Sequence, residues 1–225
     1  MAVSQKQLKN YNEPFMKYHC PLCSTPADTF FKDSKHHFLI CPKCQGIFRD
    51  PNQFLSPRNE KERYLHHRND MEDTGYYQFV LPIINQVKLH MTQGTKGLDF
   101  GCGHTPVLSN YLIKEGYDMF VFDPIFFKDD SLMNDQYDFI VCCEVIEHFY
   151  HPSQEFQNLF QTLRAKGKLI CKTHLFEEGI DFDTWYYKND PSHVFIYQAE
   201  TMLWIKNNYL LKDVKINKRV ITFTK

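Results

Sequence analysis

The sequence has no apolar run approaching the ~20 residues of a membrane-spanning helix, so no membrane partner is expected. Its first residues, Met1-Ala2-Val3-Ser4-Gln5-Lys6, lack the apolar stretch that directs export, and the expected compartment is the cytoplasm. A strong charge of either sign is missing too, the formal net charge being −1. Residues 1–50 carry seven Lys/Arg against four Asp/Glu, whereas residues 91–225 carry fourteen against eighteen. A chain that grips a long phosphate backbone needs a strongly basic face, so nucleic acid is permitted as a partner but not favoured. Apolar material, by contrast, is ample. Hydrophobic residues make up 43% of the chain and phenylalanine occurs 20 times, enough for a packed core.

Eight cysteines in a reducing compartment point to metal ligands or core residues rather than disulfides. Cys20-Pro21-Leu22-Cys23 and Cys41-Pro42-Lys43-Cys44 stand seventeen residues apart. Each pair can set two thiolates on one ion, and together they complete a tetrahedral structural zinc site. Thr29–Phe31 and His37–Ile40 between them read as two strands around a polar turn, which predicts a small zinc ribbon over residues 1–50. The alternatives are two unrelated pairs of buried or disulfide-bonded cysteines, or substitution of a ligand by His19, His36 or His37.

Residues 51–95 read as a helical linker or lid. Turn formers fill 51–60, a charged helix or loop follows over 60–70, and helical apolar spacing runs over 75–87. Tyr64, His67 and Tyr76 are placed either to fold over a ligand or to cover the edge of a sheet.

From residue 96 strand and helix alternate, which predicts a parallel sheet with helices on both faces. The first strand ends Asp99-Phe100-Gly101-Cys102-Gly103 and leads into a helix over about 105–115, capped by Gly116. A Gly-x-Gly turn before a helix lets a ligand approach the backbone closely. The acid beside it would repel a pyrophosphate and suits a ligand with an ammonium and hydroxyls, such as S-adenosylmethionine. Asp123 ends the second strand, 24 positions after Asp99, where a carboxylate can accept from ribose hydroxyls; Pro124 follows it. Glu144 ends the strand 139–143, a helix is expected over 153–164, a strand over 168–172, and a closing hairpin over 211–223.

These ordered signals resemble the class I S-adenosylmethionine-dependent methyltransferases over roughly residues 96–225. Asp99–Gly103 looks like their first motif, Phe122-Asp123 like the ribose-binding acid, and Glu144-Val145-Ile146-Glu147-His148 like the segment after the fourth strand. Leu163–Ile170 looks like their turn into the fifth strand. The preceding ribbon is similar to that of a bacterial subgroup that includes sugar C-methyltransferases. The resemblance implies an α/β, Rossmann-like, mostly parallel sheet with an antiparallel last strand. It also implies cofactor contacts from Asp99, Gly101, Cys102, Gly103, Asp123, Pro124 and Glu144. Two departures stand out: Thr105 replaces the usual third glycine, and only fourteen residues separate Asp123 from Asp138, where a helix and a strand are usual. A trimmed adenine pocket is expected, with Phe126 or Phe127 stacking on the base.

Methyl transfer needs alignment of two reactants and, for many acceptors, removal of a proton. Candidate bases are Glu144, His148, His174 and His193 at the ligand face of the sheet. The aromatic segment 182–197 sits where this fold inserts its substrate cap, and His193 within it is the expected catalytic residue. In zinc-bearing sugar C-methyltransferases the corresponding histidine lies in the active site; the alternative is a histidine that holds the loop by hydrogen bonds. His148 is expected to order the turn after its strand. Cys102, Cys142, Cys143 and Cys171 are expected to be packing thiols. The absence of Asn/Asp-Pro-Pro-Tyr after the fourth strand disfavours an exocyclic amine acceptor. The expected function is methylation of a small molecule, with an RNA methyltransferase or an inactive cofactor-binding protein as the alternatives. Nothing in the sequence sets the acceptor atom or the oligomeric state.

Overall fold

The computed structural model describes residues 18–65 and 74–225. The expected lid residue His67 lies outside them. Three antiparallel strands come first, β1 (Asp28–Lys32), β2 (His37–Ile40) and β3 (Ile47–Arg49). Each Cys-x-x-Cys turn is closed in the same way. The residue after the second cysteine, Ser24 or Gln45, takes a left-handed φ of 58° or 60°. Its N–H donates to the carbonyl of the first cysteine, Cys20 or Cys41, at 2.8 and 2.9 Å. That tight turn points both thiols of a pair to one side.

An exposed helix α1 (Pro57–Leu65) and a longer α2 (Thr74–His90) lead to the central sheet. Val80, Ile83, Ile84 and Val87 make a buried stripe at helical spacing on α2. It packs on one sheet face with Phe139, Val141 and Ile170. Strands β4 (Lys96–Phe100), β5 (Asp118–Phe122), β6 (Tyr137–Cys143) and β7 (Leu163–Lys172) are parallel, with helices α3 (Val107–Lys114) and α4 (Pro152–Gln161) as crossovers. The two-residue β8 (Phe195–Ile196) and helix α5 (Ala199–Asn208) precede the closing hairpin of β9 (Asp213–Asn217) and β10 (Val220–Thr224). β10 lies antiparallel to β7, giving the order β5-β4-β6-β7-β10-β9. The fold is the expected α/β class with an antiparallel end.

Between β5 and β6 the described chain forms one 3-10 turn, Asp130–Asn134, and no strand, so β5 is the sheet edge. The helix expected to reach 164 stops at Gln161, and the strand expected from 168 begins at Leu163. The turn into this strand expected within 163–170 is an irregularity within β7: pairing with β6 jumps from Tyr137–Leu163 to Phe139–Lys168, and Lys166 takes a φ of 66°.

The ribbon does not stand apart. β3 pairs with β8, Ile47 opposite Ile196 and Phe48 opposite Phe195. The core formed by Leu169, Cys171, Phe156 and Met202 continues without a break into Leu22, Leu39, Phe48 and the ribbon cysteines. Each such fully buried side chain contributes about 1.5–3 kcal/mol.

Candidate functional site

A cavity of about 1360 Å³ opens at the carboxyl ends of β4, β5 and β6, the ligand face of a parallel sheet. All seven expected cofactor residues line it, from Asp99 and the Gly101–Gly103 turn to Asp123, Pro124 and Glu144, and so does His193. Gly101 and Gly103 both have left-handed φ, 78° and 68°. A Cβ on Gly101 would lie 2.6 Å from Val145, whereas one on Gly103 would meet nothing within 4 Å. Gly101 therefore packs against the β6 loop, while Gly103 leaves bare backbone beside the cavity.

Asp99 is buried behind that turn and accepts a 2.7 Å hydrogen bond from Ser109 of α3. Burial raises its pKa to about 6. The Oδ2 atom of Asp123 accepts from the Gly103 N–H at 3.0 Å, and its Oδ1 accepts from Ile125 and Phe126 N–H groups at 2.8 and 3.0 Å. These bonds fix the short turn that replaces the missing strand. It places Phe126 on the cavity wall, its ring 5.8 Å from that of His104, whereas Phe127 faces outward. Pro106 caps α3, and the Val107 N–H donates to the Thr105 carbonyl at 2.8 Å.

Glu144 departs from an ordinary strand end. Its backbone is left-handed, φ 53°, a strained choice for a glutamate that turns its side chain into the site. Its carboxylate meets Arg219 at 2.9 and 3.1 Å and Lys172 at 3.3 Å. Burial and the neighbouring Glu147 raise its pKa to about 7. Lys172 is buried over the face of Phe79, which with Tyr76 and Tyr64 lines the cavity. Lys172 and Arg219 were missed in the sequence. The available signal was position, since Lys172 ends β7 and Arg219 lies in the hairpin turn beside it.

The far wall is the loop 186–193. His193 is buried; its Nδ1 faces the Tyr187 carbonyl at 2.8 Å and its Nε2 lies 3.9 Å from Asp190. His148 has its Nδ1 2.9 Å from the Ser192 carbonyl, and the two imidazoles stand edge to face at 4.9 Å. His148 thus ties down the loop 186–193 rather than only its own turn. Burial lowers the pKa of both, that of His193 to about 4, with His148 adding to the effect. Both rings are neutral at pH 7 and each offers an unprotonated Nε2. His174 is tied to Tyr186, its Nδ1 3.1 Å from the hydroxyl. The thiols Cys102, Cys142 and Cys143 have pKa values raised by burial, which leaves them protonated and inert.

The loop is held from the ribbon side. The buried guanidinium of Arg49 on β3 donates to the carbonyls of Lys188, Asp190 and His193 at 2.8, 2.9 and 3.3 Å. Asp190 in turn accepts from Arg63 of α1 at 2.5 and 3.1 Å.

The four ribbon sulfurs gather at one point, Cys20 to Cys44 at 3.5 Å and Cys23 to Cys41 at 3.3 Å. None is in a disulfide. A zinc ion with Zn–S bonds of about 2.3 Å separates its sulfurs by about 3.8 Å, so this donor set fits zinc. His36 and His37 are engaged with Asp33 and Asp50, and His19 is exposed.

No curated protein matches the chain in sequence. Solved structures share its fold. The 1,6-didemethyltoxoflavin-N1-methyltransferase of Burkholderia thailandensis, with 1,6-didemethyltoxoflavin and S-adenosylhomocysteine bound, superposes with a TM-score of 0.55 at 11% identity, over 88% of this chain and 99% of that one. Phosphoethanolamine N-methyltransferase 2 of Haemonchus contortus, in complex with S-adenosyl-L-methionine, gives 0.55 at 13% identity over 76% of this chain and 48% of that one. A SAM-dependent methyltransferase from Archaeoglobus fulgidus gives 0.53 at 13%, over 75% and 99%. The family profile of the methyltransferase domain matches residues 45–215, well over half of the chain. The chain belongs to the methyltransferase domain family.

Proposed function

We propose that this protein transfers a methyl group from S-adenosylmethionine to a small-molecule acceptor and carries a structural zinc in its N-terminal ribbon. The observation that carries this reading is one cavity with two unlike ends. At one end are the bare backbone of Gly103 and the carboxylates of Asp99 and Asp123, suited to an ammonium and to ribose hydroxyls. At the other are His148, His193, Tyr186, Tyr187 and Arg219. Cys102 and Pro124 flank the cofactor backbone, and Glu144 stands between the two ends.

His193 is the acceptor-side residue with the freest chemistry, a neutral imidazole whose Nε2 can take a proton or bind an ion. The ribbon serves as the frame of the acceptor loop, through β8 and Arg49, which supports a structural metal over a nucleic-acid grip. Its presence supports kinship with the ribbon-bearing bacterial methyltransferases that include sugar C-methyltransferases. Eight disulfide-free cysteines support a reducing compartment, the cytoplasm.

The test is calorimetric titration with S-adenosylhomocysteine, followed by methyl transfer from labelled cofactor to fractionated cell extract. Binding, with label in a small-molecule fraction, is expected. His193→Gln should keep cofactor binding and lose at least about tenfold in turnover. Absence of cofactor binding, or label confined to RNA, would refute the reading.

A further inference from the structure

Glu147 is the most deeply placed titratable group of the site. It is 0% exposed; the Tyr187 hydroxyl donates to its Oε1 at 2.5 Å, the side chains of Thr173 and Glu144 lie beside it, and burial raises its pKa. Its Oε2 has no hydrogen-bond partner among the described residues. A buried carboxylate oxygen left unpaired costs about 1–3 kcal/mol or more, so it calls for a partner.

The side chains beside it are two histidines in one tautomer. A carbonyl only accepts, so Nδ1 of His148, facing Ser192, and Nδ1 of His193, facing Tyr187, must both carry the proton. Each neutral ring therefore keeps a lone pair on Nε2. Pinning the remote ring nitrogen to a backbone carbonyl is how proteins orient imidazoles for metal binding. One ligand atom from each of Glu147, His148 and His193 lies within 4.8 Å of the other two. Contraction by about an ångström places all three around an ion with ~2.1 Å bonds. The two histidines line the cavity, and Glu147 lies behind them.

We propose that Glu147, His148 and His193 hold a divalent first-row cation on the acceptor side of the cavity. Two imidazoles and one carboxylate leave coordination positions open. Those positions take a lone pair of the methyl acceptor, which selects an acceptor bearing a hydroxyl or carboxylate oxygen. The site is separate from the four ribbon thiolates. Its role in methyl transfer rests on the methyltransferase reading; its existence as a metal site does not.

The test uses the full-length, zinc-loaded protein and Mn²⁺, a harder ion than a four-thiolate site accepts. Loss of the aqueous Mn²⁺ electron-paramagnetic signal measures binding, and Co²⁺ titrated by absorbance is a second probe. One Mn²⁺ or Co²⁺ per chain beyond the zinc is expected, with binding weakened about tenfold or more in His148→Gln and in Glu147→Gln. If Glu147→Gln does not fold, as judged by its melting temperature, His148→Gln decides the matter. Binding of neither ion, or equal affinity in wild type and a folded variant, overturns the proposal and leaves Glu147 as a neutral buried acid. S-adenosylhomocysteine titrated into the same samples separates the two readings. Cofactor binding in a protein that binds neither ion defeats only the metal site, and ion binding in a protein that does not bind the cofactor defeats only the methyltransferase reading.

Discussion

Arg49→Lys tests whether the ribbon builds the acceptor site. The Arg49 guanidinium is buried, 3% exposed, and reaches three carbonyls of the loop that carries His193. It also lies 4.7 Å above the ring of Phe38. Lysine keeps the charge and most of the stem but presents one compact ammonium in place of a planar fork. It can satisfy one of the three carbonyls well. A hydrogen bond from a charged donor is worth about 1.5–3 kcal/mol, so loss of two amounts to about 3–6 kcal/mol. Part of this is local, because β8 still pairs with β3 and Asp190 still binds Arg63. A melting temperature lower by about 6–12 °C follows from ~3 kcal/mol in a chain of this size. Turnover should fall about ten- to a hundredfold as the loop samples undocked positions, since each 1.4 kcal/mol is about tenfold. Binding of S-adenosylhomocysteine should change by less than about threefold, because Gly103 and Asp123 sit in the turns after β4 and β5, away from the clamp. Calorimetry and steady-state kinetics on the same preparation separate the two effects. Wild-type turnover in a folded Arg49→Lys protein would refute the argument, and so would a parallel loss of cofactor binding.

Phe126→Ala should weaken S-adenosylhomocysteine binding by about tenfold through lost stacking, whereas Phe127→Ala, outside the cavity, should change it less than about twofold; calorimetry reads both. Asp99 gives a pH dependence. Its folded pKa of about 6 stands above the usual carboxylate value, so its proton stabilises the fold fully below that value, an effect lost as pH rises through about 6. A cofactor ammonium favours the ionised form, so affinity should fall as pH drops below 6, with proton release on binding. Titrations in two buffers of different ionisation enthalpy check this, and Asp99→Asn should flatten the profile. Cys44→Ser should remove the tightly held ribbon zinc, measured by metal analysis. Turnover should go with it, because the same ribbon carries β3 and Arg49; full activity without that zinc would sink the framing role.

The cofactor end of the site was legible because it is local. Asp99 to Gly103, Asp123 and Glu144 each end a strand, and strand ends of a parallel sheet converge by topology. The four cysteines were legible for a similar reason, being paired within a turn. What the sequence did not show depends on contacts across long separations: Arg49 with His193, β3 with β8, and Glu144 with Arg219 are brought together only by the closed fold. The ribbon's fourth strand is two residues long, too short to show a period. The overextended helix at 153–164 failed for a different reason. Leu163-Arg164-Ala165-Lys166 is good helix-forming sequence, and the sheet overrides that weak preference by pairing Leu163 beside Tyr137.

The charges of the cavity follow a single logic in the proposed reaction. A methyl group leaving a sulfonium for a neutral acceptor disperses positive charge, and a low-dielectric site favours that change. An uncompensated carboxylate beside the sulfur would work against it, because it stabilises the charged ground state more than the transition state. Two glutamates follow β6, and the half-buried Glu144 already faces two cations, Arg219 and Lys172. Glu147, its neighbour, accepts from the Tyr187 hydroxyl and faces no cation among the described residues, and burial raises its pKa. A cation bound by Glu147, His148 and His193 would balance it as Arg219 balances Glu144. The sulfonium would then face no unpaired anion on its acceptor side, and the field there would favour the transfer.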